Sequence, residues 1–343
     1  MRIAIVGAGA IGGYFGANII RAGLDVTLID AWPEHVEHVR RHGLTVEGMS
    51  GNTSLNVKAD IRHVGDVQGL IREPAFDVVF IAVKSYDTLW ATQLILPYLA
   101  EDGVVASLQN SLNEGEIASI AGSERTYGCA ITALACELRE AGLVRRHSPT
   151  GSVSVGAIDS KNRANCEVIA GILNHAESSV AIDNLIGVKW SKLVINAMRN
   201  GLSAMTGMTG LERDTDPVTI ELGMRLGAQA VQVGRALGYE LVDTGFSFDT
   251  LVATASGDCD AIRIIRSRMA EISGARSSDQ RPSMAQDIRK GRRTETDAIN
   301  GLVARLGREV GVDAGANQKV HETIQRIERG ELQPSPALAA GIV

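Results

Sequence analysis

Short apolar runs alternate with helical stretches up to about residue 180. The runs that are expected to form strands are 2–6, 25–30, 77–83, 103–108 and 152–157. Nearly continuous apolar runs separated by helices are typical of a parallel sheet that is covered on both faces. Between residues 123 and 157 strand-like runs follow one another without helices, which predicts antiparallel additions at the sheet edge.

After residue 183 the strand signal ends and helical periodicity takes over. The helical stretches are 184–210, 216–238, 245–273, 281–310 and 316–330. Asp216 is placed to cap one of them, because Pro217 follows at the first helical position. The pattern therefore predicts an α/β N-terminal Rossmann-type domain with a parallel sheet over 1–182, and an all-α C-terminal domain over 183–343.

The chain opens with a strand, a glycine turn and a helix, which is the order of a dinucleotide-binding fingerprint. Gly7 lets the chain turn sharply, Gly9 lets the backbone approach a pyrophosphate, and Gly12 lets the helix pack closely on the strand. The N–H groups at the helix start, at Ala10 and Ile11, then face the phosphates. The alternative is a βαβ unit whose glycines serve packing alone.

Composition narrows the class of ligand. A net charge of −6 without a basic block argues against nucleic acid, and no apolar stretch is long enough for a membrane span. The four cysteines lack the spacing of a zinc site or a disulfide framework, so no metal is expected. Because the first predicted strand, 2–6, lies at the start of the sequence, we expect no signal peptide, and the cytoplasm is the expected location. The substrate should be small.

A polar stripe lies within an otherwise apolar stretch of the C-terminal domain. If this stretch is helical, Lys192, Asn196 and Asn200 stack along one face at i, i+4 and i+8. Buried ammonium and amide groups are unfavourable unless something satisfies them. The stripe therefore either bonds to neighbouring protein segments or binds a ligand, and its spacing alone favours neither.

Further candidates follow strands or lie on charged helices. Lys84 and Asn110 follow the ends of two predicted parallel strands, and ligands bind at that edge of open α/β sheets. Ser283 and Glu295 lie in a strongly charged helical stretch. Taken by itself, Glu295 is expected to be a solvated helix carboxylate.

Together these segments resemble the ketopantoate reductase family, in the same order along nearly the whole chain. The segments are 7–13, 82–84, 108–110, 192–196 with Asn200, and 283–288 with 293–295. The resemblance implies a Rossmann-type domain, a helical domain and an active site in the cleft between them. It also implies reduction of a small 2-keto acid to a 2-hydroxy acid by NAD(P)H, with ketopantoate as the foremost substrate.

The resemblance also assigns roles to single residues. It implies that Lys192 is the general acid and that Glu295 helps to position the substrate and the lysine. The implied substrate-binding residues are Asn110, Asn196, Asn200 and Ser283. The implied cofactor-binding residues are Gly7, Gly9, Ala10, Ile11, Gly12, Asp30, Lys84 and Asn110.

Two departures from the family pattern keep alternatives open. Asp30 stands where many members carry a basic residue for the 2′-phosphate of NADPH, which favours NADH unless Arg40 or Arg41 neutralises the acid. Gln280 stands where an asparagine is frequent. The alternatives are an NAD-dependent D-2-hydroxyacid dehydrogenase on the same scaffold and a non-catalytic NAD(P)-binding sensor. Apolar helical surfaces of the second domain are candidates for a homodimer contact.

Overall fold

The computed structural model describes residues 1–49, 54–159, 163–274 and 281–342. This described chain divides into two compact units, Met1–Leu185 and Ile186–Val343. The first unit is built on a mostly parallel sheet with helices, and the second is helical. The fold class predicted from the hydrophobic pattern is confirmed.

The N-terminal unit alternates strands and helices. Its strands are β1 (Arg2–Val6), β2 (Asp25–Asp30), β3 (Leu44–Glu47), β4 (Ser54–Val57), β5 (Asp60–His63), β6 (Phe76–Ile81), β7 (Leu99–Ser107), β8 (Thr126–Thr132), β9 (Cys136–Glu140), β10 (Leu143–Arg146), β11 (Ser152–Ala157) and β12 (Ser178–Ala181). Its helices are α1 (Ala10–Arg21), α2 (Pro33–His42), α3 (Thr88–Ile95), α4 (Glu114–Ala121) and α5 (Arg163–Leu173).

Eight strands of the described chain form the main sheet, in the order β12-β11-β8-β7-β6-β1-β2-β5. The pairs from β5 to β8 are all parallel, whereas β11 runs antiparallel to β8 and parallel to β12. Ile3 and Ile5 of β1 belong to one apolar cluster, and Ala4 and Val6 belong to another. Because alternate residues point to opposite faces, the sheet buries both of its faces.

The segment 123–157 corrects the sequence prediction in part. The predicted antiparallel edge holds for β11, but β8 pairs parallel to β7, and β9 and β10 leave the main sheet. They join β3 and β4 in a separate sheet of the described chain, in the order β4-β3-β10-β9. Val46 and Val144 of this sheet share an apolar cluster with Phe15 of α1. The half-buried β3 and β10 have one apolar face each, and α1 covers it.

The C-terminal unit consists of helices of unequal length. They are α6 (Leu185–Thr206), α7 (Gly210–Thr215), α8 (Pro217–Ala236), α9 (Phe248–Thr254), α10 (Cys259–Gly274), α11 (Ser283–Arg289), α12 (Asn300–Glu309), α13 (Gly315–Glu328) and α14 (Ala337–Ala340). Asp216 caps α8 as predicted, because its Oδ1 accepts the Thr219 N–H at 2.9 Å. Across the described residues, no helix is both long and apolar enough to cross a membrane.

Two predicted helical stretches are interrupted. The stretch 245–273 divides into α9 and α10, and Gly257 between them has a φ of +78°. The stretch 281–310 divides into α11 and α12, and Gly291 just after α11 has a φ of +61°. The prediction of one continuous helix is therefore wrong for both stretches. Each break places a glycine in a left-handed conformation, which the interior of a helix excludes.

Helix α6 is held closely against α8. A Cβ at Gly234 of α8 would lie 2.3 Å from Trp190 Nε1, and one at Gly227 would lie 2.5 Å from Met198 Cγ. The indole N–H of Trp190 donates to the Ala230 carbonyl at 2.8 Å. These contacts fix the position and rotation of α6 on α8.

Two arginines share one carboxylate in the interior of the C-terminal unit. Arg213 donates to both oxygens of Asp214, at 2.7 and 2.9 Å, and Arg199 of α6 donates to Asp214 Oδ2. Arg213 also donates to Ser203 Oγ at 2.8 Å. Arg213 and Asp214 are each 1 % exposed and Arg199 is 8 % exposed. The cluster therefore ties α7 to α6 through fully desolvated charge pairs.

Replacing Asp214 with asparagine should destabilise the protein by about 3–5 kcal/mol, because two buried guanidinium groups lose their shared anion. The free energy of unfolding, measured by urea titration, tests this. The matched control is Asp249→Asn, which removes an acid from the exposed pair with Arg235. That change should alter stability by at most about 1 kcal/mol. If Asp214→Asn and Asp249→Asn lowered the free energy of unfolding equally, the buried charge cluster would not be a source of stability.

Candidate active site

The glycine turn after β1 has two positions that the fold requires and one that it does not. Gly7 has a φ of +98°, and a Cβ there would lie 2.7 Å from the Val83 nitrogen. A Cβ on Gly12 would lie 1.9 Å from the Gly7 carbonyl oxygen. A Cβ on Gly9, by contrast, would have nothing within 4 Å. The absence of a side chain at Gly9 therefore has no explanation within the packing of the turn.

Helix α1 begins at Ala10, immediately after this open position. Gly9 is its N-cap and has no side chain to accept a hydrogen bond from the first turn. The N–H groups of Ala10 and Ile11 belong to that turn, and such groups together with the helix dipole favour an anion. Five of the predicted cofactor positions thus lie on one turn and one helix start, namely Gly7, Gly9, Ala10, Ile11 and Gly12.

Asp30 connects the glycine turn to the start of α2. Its Oδ2 accepts the N–H of Ala8 at 2.7 Å, and its Oδ1 accepts the N–H of Trp32 at 2.9 Å. It is the last residue of β2, as the sequence pattern predicts. The carboxylate therefore fixes both segments that flank the position predicted for the adenosine ribose.

His35 is a further residue of this region that the sequence reasoning missed. It is fully buried, its Nε2 donates to the Ala8 carbonyl at 3.1 Å, and its Nδ1 accepts the Gly142 N–H at 2.9 Å. These bonds require a neutral ring, and burial is the largest cause that lowers the pKa of His35. Trp32 stacks on the ring with centroids 5.8 Å apart. The available signal was its spacing from Val39, which places both on the buried face of α2.

Arg40 and Arg41 are engaged with acids other than Asp30. Arg40 donates to Asp66 Oδ2 at 2.7 Å and to Glu37 Oε1 at 3.1 Å. Arg41 donates to Glu37 Oε2 at 3.1 Å. The two guanidinium charges are therefore compensated along α2 and at the segment after β5.

Lys84 and Asn110 lie where the sequence reasoning places them, just past the ends of neighbouring parallel strands. Lys84 follows Ile81 of β6, and Asn110 follows Ser107 of β7. The next residue, Ser111, is buried and has a φ of 64°, which non-glycine residues rarely adopt. A strained backbone of this kind persists only where the surroundings hold it, which is typical of ligand-binding loops.

Two amide side chains, whose role the sequence reasoning missed, join these loops. Gln109 Nε2 donates to the Val83 carbonyl at 3.0 Å and to Thr88 Oγ1 at 2.7 Å. Asn113 Nδ2 donates to Ser85 Oγ at 3.3 Å. The loop after β6 and the loop after β7 are thereby held as one surface at the carboxyl edge of the sheet.

The polar stripe of the C-terminal unit lies on α6, so its predicted helical conformation is confirmed. Lys192, Asn196 and Asn200 are all half-buried. The face of α6 that carries this stripe also carries three polar residues that were not part of the predicted stripe. These are Lys189, Arg199 and Ser203, which are all buried.

Lys192 is the most strongly perturbed group of this face. Burial is the largest cause that lowers its pKa from 10.5 to about 7, and the Lys189 ammonium lowers it further. The Glu295 carboxylate acts in the opposite direction. The structure therefore brings Lys192 and Glu295, which are distant in sequence, within electrostatic reach of each other.

Glu295 is not the solvated helix carboxylate that its sequence context suggests. It is 4 % exposed and lies between α11 and α12, directly before the 3-10 turn Thr296–Ala298. The helix break at this point turns the residue inward, so a charged sequence does not give an exposed carboxylate here. Ser283 is the first residue of α11, and Gln280 lies outside the described residues. Within the part of the chain that the structure describes, no three His, Cys, Asp or Glu side chains are grouped to hold a metal ion.

Both units match models of one protein family. The family described as ketopantoate reductase PanE/ApbA matches residues 3–160, and its C-terminal counterpart matches residues 184–328. A 2-dehydropantoate 2-reductase from Archaeoglobus fulgidus is 30% identical over 337 residues, which cover 96% of this chain and 98% of that protein. The chain belongs to the ketopantoate reductase family. The resemblance inferred from the sequence motifs is confirmed.

Solved structures share the architecture of this family member. A PanE/ApbA family ketopantoate reductase from Ralstonia eutropha has a TM-score of 0.78 and 30% identity, covering 96% of this chain and 99% of that one. A ternary structure of D-mandelate dehydrogenase with NADH and anilino(oxo)acetate has a TM-score of 0.82 and 24% identity, with the same coverage. The latter likeness is one of fold.

Substitutions in the glycine turn should separate binding from folding. Gly9→Ala should leave the melting temperature unchanged and weaken NADH binding at least tenfold, about 1.4 kcal/mol, because its Cβ enters the open space in which the glycine motif predicts the pyrophosphate. Gly12→Ala should instead destabilise the fold by roughly 1–3 kcal/mol through the clash with Gly7. Thermal unfolding and fluorescence titration with NADH measure the two effects.

The control for these substitutions is Gly171→Ala in α5, where a Cβ also meets nothing within 4 Å. It should stabilise the protein by about 0.4–1 kcal/mol and leave NADH binding intact. Normal NADH affinity in Gly9→Ala would contradict dinucleotide binding at Gly9, and would leave Gly7 and Gly12 as the glycines that the packing of the turn requires.

Proposed function

We propose that this chain reduces a 2-keto acid to a 2-hydroxy acid with a hydride from NAD(P)H, and that ketopantoate is its preferred substrate. The observation that carries the proposal is the perturbed ammonium of Lys192, within electrostatic reach of the buried Glu295 carboxylate. Hydride addition to a ketone develops negative charge on its oxygen. A desolvated ammonium stabilises that charge and supplies the proton.

The N-terminal unit suits a nicotinamide dinucleotide. Gly9 faces open space at the start of α1, where a pyrophosphate finds backbone N–H groups, and Asp30 ends β2, where an acid meets the ribose. When bound, the nicotinamide supplies the hydride. The residues that would hold the dinucleotide are Gly7, Gly9, Ala10, Ile11, Gly12 and Asp30, together with Lys84 and Asn110 at the same sheet edge.

The proton and the orientation of the substrate come from the protein. Lys192 Nζ donates its proton to the carbonyl oxygen, and Glu295 favours the charged form of the lysine against the effect of burial. Hydrogen bonds from amides and a hydroxyl orient the substrate without adding charge. The residues assigned to this role are Asn110, Asn196, Asn200 and Ser283. Because the charged form of Lys192 is the donor, reduction should slow as the pH rises through about 7.

Two other functions would use the same residues, a D-2-hydroxyacid dehydrogenase and a non-catalytic NAD(P)-binding sensor, and the observations support each of them less well. The 30% identical relative is a 2-dehydropantoate 2-reductase, which favours ketopantoate over the substrates of a D-2-hydroxyacid dehydrogenase. A non-catalytic sensor would not require a desolvated ammonium with an opposing carboxylate, since such a pair is unfavourable to bury. Assay of NADH and NADPH oxidation with a panel of 2-keto acids distinguishes all three.

Lys192→Ala should lower kcat by about 10²- to 10⁴-fold, because the transition state loses its proton donor, while NADH affinity changes little. Steady-state kinetics with ketopantoate and a separate NADH titration measure the two quantities. Lys319→Ala serves as the control, since that lysine is exposed on α13. Turnover of Lys192→Ala close to that of the control would remove Lys192 from the mechanism.

We also propose that NADH is the preferred cofactor. A carboxylate at the end of β2 accepts hydrogen bonds from ribose hydroxyls and repels a 2′-phosphate. Arg40 and Arg41 were the residues most able to neutralise Asp30, and both donate to other acids. Both oxygens of Asp30 accept backbone N–H groups, which holds the carboxylate in place at the strand end.

The ratio of kcat/KM for NADH to that for NADPH should therefore exceed one in the natural protein. Asp30→Asn combined with Ala31→Arg should narrow or reverse the ratio, because repulsion is removed and a phosphate partner is added. Asp25→Asn is the control, since it removes an exposed acid from the other end of β2. A tenfold preference of the natural protein for NADPH, about 1.4 kcal/mol, would refute the assignment.

A further inference from the structure

A second lysine lies one helical turn before Lys192. Lys189 and Lys192 are at i and i+3 of α6, so their side chains leave the same face of the helix with Cβ atoms about 5–6 Å apart. Lys189 is 3 % exposed. Two ammonium groups close together in a desolvated region repel each other more strongly than they would in water.

Two described charged groups act on Lys192 from different elements. Lys189 comes from α6 itself, and Glu295 comes from the segment between α11 and α12. Burial is the largest cause that lowers the pKa of Lys192, the Lys189 charge adds to it, and the Glu295 charge opposes it. The proton affinity of Lys192 therefore depends on burial, which is the largest cause, and on the opposing charges of one cation and one anion.

We propose that Lys189 is a positioning residue whose ammonium, held on the buried face of α6, acts with burial and against the Glu295 carboxylate to set the pH range over which Lys192 gives up its proton. The inference rests on the proposed function, because it assigns Lys189 a part in tuning the proton donor of that reaction. The sequence segments on which the family resemblance is based begin at Lys192 in this helix and do not include Lys189.

The chemistry explains why such tuning is useful. A proton donor works best when its pKa lies near the pH at which the enzyme operates. An ordinary lysine with a pKa of 10.5 releases its proton reluctantly, whereas Lys192 has a pKa of about 7. The Lys189 charge contributes to that lowering without having to touch the substrate.

The test is the pH dependence of kcat for keto-acid reduction in the natural protein and in Lys189→Met. The alkaline limb should lie near pH 7 in the natural protein and move upward by about one pH unit in the variant. Lys189→Arg keeps the charge and should retain the natural profile. Lys319→Met removes an exposed lysine of the same unit and should also retain it.

A second readout does not depend on activity. Acetic anhydride modifies the neutral form of an amine, so the rate at which Lys192 is acetylated at pH 7 can be followed by mass spectrometry. If the pKa of Lys192 rises from about 7 by one unit in Lys189→Met, this rate should fall about fivefold, because the neutral fraction falls from about one half to about one tenth. If the natural protein reduces no keto acid but the acetylation rate of Lys192 still falls in Lys189→Met, the proposed function is rejected and the effect of Lys189 on Lys192 is retained. Unchanged acetylation and an unchanged alkaline limb would overturn the inference, as would equal shifts in Lys189→Met and Lys189→Arg.

Discussion

The proposed chemistry of the C-terminal unit depends on one interaction, the balance of burial and neighbouring charges at Lys192. Burial favours its neutral form, Lys189 adds to that effect, and Glu295 opposes it. Because the folded pKa of about 7 lies below the ordinary value of 10.5, the unfolded chain binds more protons between these values. The contribution of Lys192 to the free energy of unfolding therefore rises with pH across this window, so the charged form of Lys192 is held at the expense of stability.

In the N-terminal unit, hydrogen bonds from side chains hold the backbone segments at the carboxyl edge of the main sheet, where we propose that the dinucleotide binds. The peptide of Ala8 is held on both sides, since Asp30 accepts its N–H and His35 donates to its carbonyl. Gln109 and Asn113 hold the loops that carry Lys84 and Asn110. The glycine turn and the two loops are thus hydrogen-bonded in place by side chains that need not contact the ligand themselves.

The sequence predicts what depends on local pattern. Glycine spacing, the acid that ends β2 and the stripe on α6 are all local signals, and the fold class follows from alternation of apolar runs. The burial of Glu295 is not predictable in this way, because a glycine-terminated helix break turns it inward. The role of His35 depends equally on a partner, Gly142, that is far away in the chain.

Titration of Lys192 itself tests most directly whether its pKa is lowered as the proposed proton donor requires. The chain has seven lysines, so carbon-13 labelling at the lysine Cε gives a spectrum in which Lys192→Arg identifies one resonance. We expect this resonance to titrate near pH 7 in the intact chain. A midpoint near the ordinary value of 10.5 would contradict the central claim that a desolvated, tuned ammonium serves as the proton donor.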